Sequence, residues 1–198
     1  MPIAVQSEVE AALDTFVVRL RAVLDRAMDD WQSMPNKAWF FYARDRSNFI
    51  FSQIARHALV EFDGDSNVHI IREPQTVKFL FMDRVLARFK KGNAQGVGAN
   101  IETQAVMNFI NPQSSFAGLP DVHRVEIVYQ LNIIGTSFAE VAVVARDKTT
   151  RVWSYPLTGK PSADIIPMPT RTPPVLTPPL VVPKPAAVEE SVDDRPTE

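Results

Sequence analysis

Arg88, Lys90 and Lys91 lead into glycines at 92, 96 and 98, and Asn100 then opens a run, 101–110, patterned as a short helix. Cations, a glycine-spaced loop and a helix start are the parts of an anion site. Glycines let backbone N–H groups converge, and a helix N-terminus adds partial positive charge. Asn100 suits an N-cap, and Glu102 suits the positive end of the helix. With Thr103 and Gln104 behind them, these residues are the candidate contact for a phosphate, a carboxylate or an acidic partner. Two nucleotide folds are excluded by spacing. G-x-x-x-x-G-K-[ST] is absent, the glycines do not fit G-x-G-x-x-G, and no parallel βαβ repeat surrounds them. The plainer reading is an edge strand guarded by solvated lysines.

A second chemistry follows from element order. Helix, three strands, helix and further strands is the order of the PD-(D/E)xK nuclease core, where acidic metal ligands and a lysine on adjacent strands direct water at a phosphodiester. Asp83 and Lys90 occupy two such places, but Arg88 stands where a glutamate ligand belongs. That leaves a degenerate, nucleic-acid-touching domain as the alternative. The three histidines, His57, His69 and His123, lack the spacing of a ligand set. In 63–67, DGDSN, glycine comes second rather than sixth, so this is a helix-ending turn and not a calcium loop. No G-x-S-x-G occurs. There is no cysteine, which excludes disulfides, thiolate metal sites and cysteine nucleophiles. No catalytic residue, metal or cofactor is assigned, and the chain is read as non-enzymatic.

The positioning elements follow from periodicity. Apolar residues recur at three- and four-residue steps through 7–31, and Ser7 with Glu10 makes a capping-box pattern. The stripe Val9, Leu13, Phe16, Val17, Leu20, Leu24, Ala27 and Trp31 is expected to cover a sheet or another helix, with a partner interface as the alternative. Trp39, Phe40, Phe41 and Tyr42 are expected in a short strand or turn under the helices. A second helix is expected over 47–62. From Val68 the period changes to 2. Strands are expected over 68–71, 76–81 and 85–90, the last two forming a hairpin turned at Asp83-Arg84. Leu80, Met82 and Leu86 make the hairpin's other face apolar too, so part of it is expected to be covered on both sides. After 101–110 and a turn at 118–120, strands over 123–131, 138–145 and 151–155 read as an antiparallel meander.

Composition places this core in the first 157 residues, since eleven of the 16 prolines lie at or after Pro156. Residues 158–198 read as a disordered, proline-rich tail ending in acids, either a linker or an extended docking ligand. The first 14 residues lack a basic, apolar leader, and no run approaches a membrane span, so a cytoplasmic protein without membrane contact is expected. A net charge of −2 gives no global attraction to nucleic acid.

VKFLFMDRVLARFKKGNAQGVGANIETQAVMNFINPQ, then GLPDVHRVEIVYQLNIIGT and the closing RVWSYPL, is similar to a family of uncharacterised bacterial proteins. Its hallmark is R-F-K-K, a polar loop, and N-I-x-T-Q, here Arg88 to Lys91 and Asn100 to Gln104. The resemblance covers about 44–157. It implies a gene beside a regulator that joins a helix-turn-helix domain to an ImmA/IrrE-type zinc peptidase, the layout of toxin–antitoxin and mobile-element loci. It brings no catalytic residues. The expectation is an α+β domain, two N-terminal helices on an antiparallel sheet of about five strands with one short helix inserted. Its expected role is a non-enzymatic partner or regulatory component of a toxin–antitoxin-like or phage-defence module, acting by protein–protein contact with the neighbouring regulator.

Overall fold

The computed structural model describes residues 3–74, 76–99, 109–110 and 122–158. Helix α1 (Gln6–Leu13) passes through a 3-10 turn at Asp14–Phe16 into α2 (Val17–Ser33), and α3 (Ala43–Phe62) follows. The strands are β1 (Val68–Glu73), β2 (Thr76–Phe81), β3 (Val85–Lys91), β4 (His123–Leu131), β5 (Phe138–Asp147) and β6 (Thr150–Pro156). They form one sheet in chain order. The α+β class and the meander are as expected. The sheet differs in two ways. It has six strands, and β3 and β4 run parallel, Arg88 opposite Glu126, while every other pair is antiparallel. A parallel neighbour requires a long crossover, which residues 92–122 supply. The expected helix at 101–110 lies outside the described residues except for Phe109 and Ile110, which are helical and buried. The turn at 118–120 and the tail from 159 onward also lie outside them.

Each sheet face is covered by a different part of the chain. Val77, Phe79, Phe81, Val85, Ala87, Phe89, Val125, Ile127, Tyr129 and Val143 point to one side and pack with the helices. The α1–α2 stripe is buried there except for Val17, which is half-buried, and Leu13, Leu20 and Leu24 have no exposure at all. Its expected use as cover is therefore met, and it is closed to a partner. Phe62 lies at the centre, its ring 6.3 Å from Phe16, 5.6 Å from Phe79 and 5.4 Å from Phe81. On the opposite face Leu80 and Leu86 meet Phe109, Ile110 and Val122, and Val97 meets Val128, Ala142 and Val144. This second layer explains why β2 and β3 are buried along almost their whole length.

Local corrections have local causes. Val5 caps α1, and Ser7 lies inside the helix, so the capping box does not form; Gln6 donates to Glu10 instead. α3 begins one turn earlier than its apolar pattern shows, because residues 44–46 are charged and only later turns reach the core. The hairpin turns at Met82 and Asp83, both at positive φ (53° and 54°), with Arg84 N–H donating to the Phe81 carbonyl at 2.9 Å. Met82 thus leaves the strand for the turn. Among the described residues no helix is long and apolar enough to cross a membrane.

Candidate functional site

Successive residues of a strand point to opposite faces, and this separates the three candidate cations. Lys91 faces the helices, where its Nζ donates to the Ser47 hydroxyl at 2.8 Å. Arg88 and Lys90 face the second layer. β3 is an interior strand, between β2 and β4, so it is not the lysine-guarded edge of the plainer reading. Asn100, Thr103 and Gln104 lie outside the described residues.

The parallel register sets Arg88 directly across from Glu126. Both are buried, Arg88 being 2% exposed and Glu126 not at all. Arg88 donates from Nε at 3.2 Å and from Nη2 at 2.6 Å to one carboxylate oxygen, Oε1. The other, Oε2, accepts from the Gly98 N–H at 3.1 Å and from Arg146 Nη1 at 3.3 Å. Arg146 follows a register shift in β5 at Ala145/Arg146, and bulges of this kind re-aim side chains. Its Nη1 also donates to the Gly98 carbonyl at 3.1 Å. Gly98 must be a glycine here, since a Cβ would sit 2.4 Å from Glu126 Oε2 and 2.9 Å from Lys90 Cβ. The Phe109 ring lies over the Arg88 guanidinium, 4.0 Å from centroid to Cζ, a cation–π geometry.

Electrostatics follow from this packing. Burial pushes Glu126 up, but the charges and hydrogen bonds of Arg88 and Arg146 outweigh it and hold the carboxyl below its usual range. Burial draws Arg88 down, opposed by Glu126; a guanidinium starts so high that it stays charged. Lys90 is lowered by burial and then by its neighbours Arg88 and Arg146. Of the expected parts, the Gly98 N–H and Arg88 do meet a carboxylate, the protein's own Glu126, and Arg146 of β5 joins them.

The nuclease arrangement does not assemble. Asp83 sits in the turn before β3 and Lys90 near its far end, on the order of 20 Å apart at strand rise. Among the described residues no group of three acids or histidines is placed to hold a metal. The histidines are dispersed, each on a separate carboxylate: His57 on Asp30 at 2.7 Å, His69 on Asp83 at 3.0 Å and His123 on Glu8 at 2.8 Å.

A different surface stands out, made by the four-aromatic run and the β4–β5 turn. Only Phe40 turns inward, 5.5 Å from the Trp31 ring and 5.9 Å from Phe49. Trp39, Phe41 and Tyr42 are 72, 85 and 69% exposed, a correction to their expected burial. In a four-residue run of large rings one wall of the core can take only some of them, so the excess was visible in the sequence. The turn at 132–137 docks alongside. Trp31 Nε1 donates to the Gly135 carbonyl at 3.1 Å, Gln32 to the Thr136 carbonyl at 2.7 Å, and Arg46, one turn beyond Tyr42, to the Ile134 carbonyl at 3.3 Å. Ile133 is fully exposed and Ile134 71% exposed. Two isoleucines inside a turn, Asn132-Ile133-Ile134-Gly135, were the matching sequence signal. Comparison with known protein families, curated proteins and solved structures finds no match.

Proposed function

We propose that this protein is a non-enzymatic interaction component of a toxin–antitoxin-like or phage-defence module, and that it acts by protein–protein contact. The carrying observation is the apolar surface of Trp39, Phe41, Tyr42, Ile133 and Ile134, on two chain segments tied together by Arg46 and Trp31. Single exposed apolar residues are ordinary, but five on two segments tied together, three of them aromatic, support an interaction surface, because large rigid rings bury much area at little entropic cost. Two of the candidate contacts read from sequence are less suited. The helical stripe is inside the core, and Arg88 is engaged with Glu126. The partner we propose is the product of the neighbouring regulator gene that the family resemblance implies.

Co-expression with that product tests the reading. Wild type is expected to co-purify with it. A variant carrying Trp39→Ser, Phe41→Ser, Ile133→Ser and Ile134→Ser is expected to lose the complex while melting within a few degrees of wild type, since exposed substitutions usually shift stability by about 0.5 kcal/mol or less each. Undiminished co-purification of the variant counts against this surface. Binding of labelled DNA or RNA that falls steeply with salt favours the alternative, a phosphate-contacting domain.

A further inference from the structure

β1 is one outer strand of the sheet and pairs only with β2. Alternate N–H and C=O groups on its other side therefore have no strand to bond among the described residues. α3 packs beside β1. Phe51, Ala55, Leu59 and Val60 lie on adjoining rows of the helix at four-residue steps. With Arg72 and Val77 they line an open groove of about 650 Å³ beside the strand. The molecule's own core repeats the same arrangement, a helix stripe lying over a strand.

We propose that this groove receives an extended peptide of a partner protein, which adds to β1 as a seventh strand, with alternate apolar side chains under α3 and an acidic side chain at Arg72. Three observations select that occupant. The open edge supplies backbone donors and acceptors that only an extended chain can match in register, the basis of recognition by strand addition. The apolar helix rows span 51–60, about 14 Å of helix or four strand residues, so they accept two side chains of alternate positions. Charge sets the third preference. Arg72 makes no hydrogen bond or ion pair among the described residues, whereas Glu73 of the same groove is held by Lys78 and Arg56 by Asp30. The one uncommitted charge in the groove is positive, which suits an aspartate or glutamate.

Panning a displayed library of random ten-residue peptides against the full chain tests this. Enriched peptides are expected to alternate Val, Ile, Leu or Phe with polar residues and to carry an acid. Arg72→Glu is an exposed change that leaves the core alone, and it is expected to weaken these peptides about tenfold or more. N-methylation of alternate peptide amides is expected to abolish binding at one phase of the alternation and spare it at the other, which a merely hydrophobic contact would not show. The four-serine variant of the aromatic surface is expected to bind the same peptides as wild type, so this site and the proposed interaction surface fail separately. Absence of enriched peptides, indifference to N-methylation, or equal binding by Arg72→Glu would each overturn the proposal. So would a wild-type dimer that dissociates on Arg72→Glu, since the edge would then serve a second copy.

Discussion

Glu126 holds two guanidiniums and a backbone N–H in a place without water contact, so its removal is costly in a specific way. Glu126→Gln removes the carboxylate charge that Arg88 and Arg146 share and is expected to destabilise the fold by about 3–5 kcal/mol in chemical denaturation. Arg88→Met combined with Glu126→Leu is expected to recover most of that loss. If the double variant is no better than the single one, the pair is not the source of the cost. The pH dependence has a definite sign. Glu126 is depressed in the folded state, so its contribution is complete above the ordinary carboxylate value and is lost as pH falls through the lower, folded one. The acid limb of the stability curve is expected to flatten in Glu126→Gln. Lys90 has the opposite effect. Its folded pKa is lowered, so the charged ammonium opposes folding at neutral pH and the penalty fades as pH rises toward the ordinary lysine value. Lys90→Met is expected to raise the melting temperature at pH 7, by a margin that shrinks near pH 10.

At the scale of elements, the β2–β3 hairpin carries the most backbone strain among the described residues, since the β5–β6 turn holds one such position, Lys148 at φ 51°. Two non-glycine residues, Met82 and Asp83, occupy the left-handed region, which costs an L-residue roughly 1–2 kcal/mol. Replacing the pair by Asn-Gly is expected to stabilise the protein by about 1 kcal/mol, seen as a higher denaturation midpoint at unchanged slope. The turn was misplaced by one residue in the sequence reading, because Asp83-Arg84 carries the polarity of a turn and Met82 the look of a strand. Polarity does not report φ. The reverse holds for α1 and α2, whose stripe matches burial at seven of its eight positions, all but the half-buried Val17, because helical period and burial largely coincide there; Val23 and Met28, also buried, widen it.

Across the sheet, the helices pack on one face and Phe109, Ile110 and Val122 on the other, and Phe62 joins α3 to both the α1–α2 junction and β2. Phe62→Ala is expected to cost about 3–5 kcal/mol and to lower the cooperativity of thermal unfolding. The second layer accounts for a feature that periodicity alone leaves unexplained, a strand apolar on both faces. Leu80 and Leu86 signalled that cover in the sequence. Nothing in the sequence signalled that the covering segment would return as a parallel neighbour.

The residue types and their spacing by themselves determined the helix stripe, the period-2 strands, the meander and the approach of a glycine loop to Arg88. Those properties are local, set by backbone period and glycine chemistry. Tertiary structure alone decided what the cations face. The parallel β3–β4 register brought Glu126, 38 positions later, opposite Arg88 and converted an apparent anion site into an internal ion pair. It also decided which rings of the 39–42 run stayed outside, because that depends on how much wall Trp31 and Phe49 leave for them. A strand's partner is chosen by long-range packing, and no spacing within the strand records it.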